Sequence, residues 1–169
     1  MSYLSYRYRN NKKQSALKHL VSVNIFISYY YNFHIWKLIN ITGVDLNSQF
    51  PANWELGKKI KSNLGYNKPA PRDFAGDSPL SEPESQAMYN FALLKNFSLC
   101  LCFHSQGEVI YWKYTDFLPP NSLELAKEFA HVSGYELEDT PYNSSFGGFR
   151  DWFIKNFNKP GFTIEVRKR

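Results

Sequence analysis

No stretch of the 169-residue sequence is apolar for long enough to cross a bilayer. The nearest, Leu20 to Tyr31, is short and carries Ser and Asn. It follows a basic start, as the core of a leader peptide would. No small-x-small cleavage pattern comes after it, so a cytoplasmic protein is favoured. Cysteine is scarce, with only Cys100 and Cys102. Two apart on an extended chain, they project from one face with Cα atoms roughly 6.5–7 Å apart, which disfavours a disulfide. The pattern Cys-x-Cys-x-His would line up three possible ligands. Its first and last members would lie roughly 13 Å apart, too far to share one ion. Both thiols therefore read as small buried apolar groups.

Acidic residues are missing from the first 44 positions, which hold six Lys or Arg. Three more basic residues close the chain at Arg167, Lys168 and Arg169. The net charge of +5 is thus a property of the ends, because residues 45–166 contain 11 basic and 15 acidic side chains. A mildly acidic body is not built to attract phosphate, and no nucleic-acid partner is expected. Residues 1–40 are rich in Tyr, Asn, Lys, Ser, Ile and Phe and almost free of Gly and Pro. The sharp change near Ile41 sets them apart as an atypical basic, aromatic segment. A reading-frame change or a misplaced start would leave such a segment. Within it, Val21 to Tyr31 fits a strand or a buried helix piece equally well.

What is present after Ile41 alternates helix and strand signals. Gly43 to Trp54 is loop-like, with Asp45, Asn47, Asn53 and a proline. Glu55 to Asn67 is polar and basic and reads as a solvated surface segment. Ser81-Glu-Pro-Glu84 predicts a helix start with Ser81 as N-cap, running to about Lys95 with Ala87, Phe91 and Leu94 inward. Phe97 to His104 is a short apolar run suited to a strand buried on both faces. Glu108 to Lys113 is a second extended segment. Asn121-Ser-Leu-Glu124 opens another helix, ended at Gly134. A short strand follows at Tyr135 to Glu138, then a small-residue loop from Pro141 to Gly148. A helix over Phe149 to Phe157 and a strand over Phe162 to Val166 complete the body. This order predicts an α/β fold of three α/β/α layers around a mixed, mostly parallel sheet.

Four polar residues stand at the ends of these elements. Alone, Asn47 reads as turn chemistry, Tyr142 as a loop aromatic and His104 as a hydrogen-bonded strand-end histidine. Glu165 sits among Phe162, Ile164 and Val166. A carboxylate there either faces solvent from an edge strand or is buried, paired and functional.

Together they resemble the zinc carboxypeptidase family, the carboxypeptidase A-like metallopeptidases. Gly43-Val-Asp-Leu-Asn47 is similar to that family's substrate loop, and the strand ending at His104-Ser105 to the segment carrying the third zinc ligand. Tyr142-Asn-Ser-Ser-Phe-Gly-Gly-Phe-Arg-Asp-Trp152 is similar to the loop whose tyrosine closes over substrate. Phe162-Thr-Ile-Glu165 is similar to the strand bearing the catalytic glutamate. The match covers roughly residues 36–166, so 41–166 is identified as the C-terminal half of such a domain, an incomplete carboxypeptidase-like fold. His104-Ser-Gln-Gly-Glu-Val-Ile-Tyr-Trp112, Ser81-Glu-Pro-Glu84 and Pro71-Arg-Asp73 place the nearest likeness among bacterial γ-D-glutamyl-diamino acid endopeptidases. These cut peptidoglycan stem peptides. Where carboxypeptidases carry Asn-Arg to grip a free carboxylate, this chain has Asn47-Ser48, which removes a bidentate clamp.

The resemblance implies one zinc ion and metal-assisted hydrolysis. His104 would be a metal ligand, and Glu165 would take a proton from the activated water and pass it to the leaving amine. Tyr142 would hydrogen-bond substrate and Asn47 would orient it. The family's other two ligands come from His-x-x-Glu, and the sequence contains no such motif: His19 is followed by Leu-Val-Ser and His34 by Ile-Trp-Lys. The expectation is therefore a truncated copy, inactive alone, with a separately encoded N-terminal half as a candidate partner. The alternative is a non-catalytic remnant that binds peptidoglycan peptides.

Overall fold

A computed structural model describes residues 25–29, 39–105 and 107–166. Most of the 1–40 segment and the basic tail 167–169 lie outside the described residues. Five strands form one sheet, β1 (Ile25–Tyr29), β2 (Leu99–His104), β3 (Val109–Tyr111), β4 (Glu136–Glu138) and β5 (Gly161–Glu165), in the order β1-β2-β5-β3-β4. β1, β2 and β5 run parallel, β3 is antiparallel to β5, and β4 is parallel to β3. The mixed, mostly parallel sheet is the expected one. β1 falls inside the segment that composition sets apart, and it pairs with β2 along its whole length.

The alternation of β2 explains its burial on both faces. Leu99 and Leu101 join Ile110, Phe162 and Ile164 under the helix α3 (Ser122–Ser133), where Phe129 meets Phe162 edge-on, 5.2 Å between ring centroids. Cys100 and Cys102 face the other way, into an aromatic core with α4 (Phe149–Phe157) and α2 (Pro83–Lys95). Helices thus cover both faces of the sheet. The two thiols are free, buried and in contact, Sγ to Sγ 3.5 Å. α4 lies close on β5 because Gly161 has no side chain: a Cβ there would meet Ile154 Cγ1 at 3.0 Å and Arg150 Cγ at 3.3 Å.

Three local expectations are corrected. The segment after Trp54 is not simply solvated, because Trp54–Asn63 forms a helix, α1, that buries Trp54, Gly57 and Lys61. α2 begins one residue later than its capping pattern suggests, with Glu82 at the N-cap and Pro83 at N1. The Ser81 hydroxyl instead donates to Gln49 Oε1 at 3.0 Å and to Glu82 Oε1 at 2.8 Å. The inner face of α2 is Ser85, Met88, Tyr89 and Ala92, not Ala87, Phe91 and Leu94. Tyr89 lies on Trp152, 4.6 Å between ring centroids, and that contact sets the rotation of the helix. No helix among the described residues is long and apolar enough to cross a membrane.

Candidate functional site

His104 and Glu165 are brought together by strand register. They are Cα partners at the carboxyl ends of the parallel neighbours β2 and β5. Glu165 is also opposite Val109 of β3, so it lies on an interior strand rather than an edge. His104 Nδ1 is 4.0 Å from Glu165 Oε1, and both side chains are mostly buried. Gly107 closes in from the β2–β3 connection, where a Cβ would meet the Glu165 Cβ at 3.1 Å. The carboxyl ends of parallel strands are where open α/β sheets place ligands. Burial first, and then the positive charge of Arg150, hold the imidazole of His104 down at about 4. The ring is therefore neutral at neutral pH.

Arg150 and Tyr114 carry no sequence signal that sets them apart, since an Arg-Asp pair at a helix start is as common on a surface as in a core. Both are buried. Arg150 Nε donates to Asp151 Oδ1 at 3.0 Å and Nη2 donates to Thr140 Oγ1 at 2.9 Å. Its Nη1 is buried with no hydrogen-bond partner, and so is the hydroxyl of Tyr114. Burial pushes the Asp151 carboxyl up, against the pull of Arg150 and of a bond from the Gly148 backbone. It pushes the Tyr114 phenol up as well, with the charge of Asp151 adding to it. A buried polar atom without a partner costs free energy, and two such donors near one ion pair mark a place able to take a ligand's acceptors.

Asn47 lies on a 3-10 turn, Leu46–Ser48, whose N-cap is Asp45. Asp45 Oδ1 accepts the Asn47 N–H at 3.0 Å, and its Oδ2 accepts the Asp73 N–H at 3.3 Å. Ser48 is turned inward and accepts from Lys61 Nζ at 2.8 Å. The turn is laced to the segment before α4. Phe50 N–H donates to Gly147 O at 2.9 Å, and Gly147 N–H donates to Ala52 O at 2.9 Å. Asn47 is therefore carried beside Gly147 and Gly148, at the start of the helix that supplies Arg150.

Tyr142 stands apart from the strand-end pair. It sits on the short turn Tyr142–Ser144, is 63% exposed, and meets Phe146 edge-on at 5.4 Å. It helps to line a cavity of about 280 Å³ with Tyr114, Thr140, Ser145 and Phe146, and neither His104 nor Glu165 is part of that lining. Thr140 connects this cavity to the Arg150 guanidinium.

A catalytic zinc takes three protein ligands. Among the described residues no three His, Cys, Asp or Glu side chains converge as a metal site. The neutral imidazole of His104 is chemically suited to be one ligand, but the described residues do not by themselves fit a catalytic zinc.

A family model for zinc carboxypeptidases matches residues 3–169, a span that begins ahead of the composition change near Ile41. The chain is 46% identical over 135 residues to gamma-D-glutamyl-L-diamino acid endopeptidase 1 of Lysinibacillus sphaericus, covering 80% of this chain and 32% of that protein. It is 31% identical over 144 residues to human mast cell carboxypeptidase A, covering 75% of this chain and 33% of the other. It thus spans about a third of the length of these curated relatives. Among solved structures, murein-tripeptide amidase MpaA from Escherichia coli O157 superposes with a TM-score of 0.57 at 28% identity, over 76% of this chain and 52% of that one. Carboxypeptidase A from Helicoverpa armigera gives a TM-score of 0.59 at 23% identity, over 83% and 36%, a likeness of fold.

Proposed function

Since the chain belongs to the zinc carboxypeptidase family, we propose that it carries the substrate-holding and proton-transferring part of a peptidase site. The substrate class is the γ-D-glutamyl-diamino acid peptide of peptidoglycan stems. The observation that carries this is the register pairing of His104 with Glu165 at the carboxyl ends of β2 and β5. Glu165 is the base, placed to take and return a proton at its carboxylate. Asn47 orients the peptide and Tyr142 hydrogen-bonds it from the loop side. The unpartnered Nη1 of Arg150 offers a charged donor to a carboxylate of the diamino acid. An inward-facing Ser48 leaves no group at that position to grip a C-terminal carboxylate, which favours cleavage within a stem peptide over removal of a C-terminal residue.

With His104 as its one imidazole at the site, this chain alone does not hold catalytic zinc tightly and does not turn substrate over. Hydrolysis requires a His-x-x-Glu, which these 169 residues do not contain. The test joins three measurements on the purified chain: zinc content after dialysis, calorimetric binding of L-Ala-γ-D-Glu-diaminopimelate, and release of free diaminopimelate. The expected result is peptide binding without retained zinc or release. Stoichiometric zinc together with release would overturn the incompleteness, and absence of peptide binding would overturn the site itself. A purely binding role is favoured instead if supplying a His-x-x-Glu half restores zinc but no release.

A further inference from the structure

Lys61 is a charged side chain in a place where charges are rarely left. It is 8% exposed and lies on the buried side of α1. Its ammonium donates to Ser48 Oγ at 2.8 Å and to Asp73 Oδ1 at 3.0 Å, and lies 3.9 Å from Asp45 Oδ2. An ammonium taken out of water costs several hydrogen bonds' worth of hydration unless its N–H groups are partnered. Here the partners come from two segments remote from α1. Two of them, Asp45 and Ser48, bracket Asn47 on either side.

The bracketing makes the turn depend on the lysine. Asp45 is the acceptor for the Asn47 N–H and for the Asp73 N–H. It is a buried carboxylate beside a second one, Asp73, and Lys61 is the cation between them. Gln49, the other buried polar side chain of this loop, works elsewhere: its amide donates to Ala75 O, and its oxygen accepts from Ser81 Oγ and from the Glu82 N–H at 3.2 Å. The 74–82 loop therefore has its own anchor, and the Asn47 turn has Lys61.

We propose that Lys61 is a positioning residue for substrate, acting through Asn47 by fixing the turn at Asp45 and Ser48. The inference rests on the reading of Asn47 as a substrate-holding residue. It differs from plain stabilisation in one respect: the effect of Lys61 on binding passes through a single side chain.

The experiment uses the full chain with Lys61→Met, Lys61→Arg, Asn47→Ala and the Lys61→Met/Asn47→Ala double variant. Amide hydrogen exchange is followed at Asn47, with the β2 amides as reference, and stem-peptide affinity is measured by calorimetry. Lys61→Met is expected to speed exchange at Asn47 about tenfold or more with β2 unchanged, and to weaken the peptide about tenfold. In the Asn47→Ala background the same change is expected to cost less than about twofold, the sign of a coupled pair. Lys61→Arg is expected to recover part of both losses. Unchanged exchange at Asn47, or an equal loss of affinity in both backgrounds, overturns the proposal. Should Lys61→Met fail to fold, Ser48→Ala removes one anchor and is read the same way, with unchanged exchange again overturning it. A wild-type chain that binds no peptide sinks the proposed function, and the exchange measurement then decides the anchoring alone.

Discussion

The ring of His104 and the carboxylate of Glu165 occupy paired positions on neighbouring parallel strands, 4.0 Å apart. The pairing follows from register alone, since β2 and β5 align from Cys100 with Gly161 to their last residues. On one face of β2 the side chains run Cys100, Cys102, His104, and opposite them on β5 run Gly161, Thr163, Glu165. The sheet therefore changes from a packed core to a polar pair within two residues, at the end where an α/β sheet opens to ligands.

That burial has a pH signature. The imidazole is held at about 4, against 6.5 when unperturbed, by burial and then by Arg150. Between these values the unfolded chain binds a proton that the folded chain does not. Stability is full above the unfolded value, falls as pH drops through this window, and is flat below it. The loss is at most about 3 kcal/mol. Urea unfolding at pH 7 and pH 4 measures it, and His104→Asn should remove this part of the slope. A His104 resonance titrating near 6.5 would contradict the assignment.

Gly107 tests how closely Glu165 is held. A Cβ there would stand 3.0 Å from Val109 Cγ1 and 3.1 Å from Glu165 Cβ. The Glu165 Cβ is fixed by its strand, and the Val109 methyl could yield only by turning about χ1. Gly107→Ala should cost about 1–3 kcal/mol by overpacking. It should also weaken stem-peptide binding. Wild-type values in both measurements would show that the connection yields.

Gly147 tests the contact between the Asn47 turn and the start of α4. Its φ is +81°, and a Cβ would meet Ser48 O at 3.2 Å. Gly134 has φ +76° with nothing within 4 Å, so it serves as the matched control. Gly134→Ala should cost about 1 kcal/mol from the left-handed backbone alone. Gly147→Ala should cost more, and should also loosen the Asn47 amide in hydrogen exchange. Equal costs at the two positions would mean that the close approach is not a constraint.

The legible parts of this protein are those where local pattern and tertiary role agree. The apolar run ending at His104 had to be an interior strand, and α4 stops at Asn158 in the left-handed conformation as its last residues suggest. The illegible parts are charges whose burial is decided by distant segments. Lys61 sits in Gly-Lys-Lys-Ile-Lys-Ser, where nothing local separates it from its exposed neighbours. Only the arrival of Asp45, Ser48 and Asp73 makes it an interior residue. Arg150 is the same case, since an Arg beside an Asp at a helix start describes a surface as well as a core. The pattern of α2 has no clear apolar stripe, so its inward face is not legible, and Tyr89 on Trp152 chooses the rotation.

Arg150 also yields the sharpest mutational contrast. The guanidinium and Asp151 are both nearly inaccessible, and Nη2 reaches Thr140 as well. Arg150→Met would strand a buried carboxylate and should cost about 3–5 kcal/mol. Arg150→Met/Asp151→Asn removes both charges and should recover most of that. The two variants share a second effect that stability cannot mimic. The positive charge of Arg150 is one of the two influences that hold His104 low, so the imidazole should titrate at higher pH in the double variant, with burial still keeping it below its ordinary value. If Nη1 serves the diamino acid carboxylate, the folded double variant also loses affinity for L-Ala-γ-D-Glu-diaminopimelate while its affinity for the same peptide amidated at that carboxylate stays unchanged. Equal loss for both peptides would assign Arg150 to the core alone.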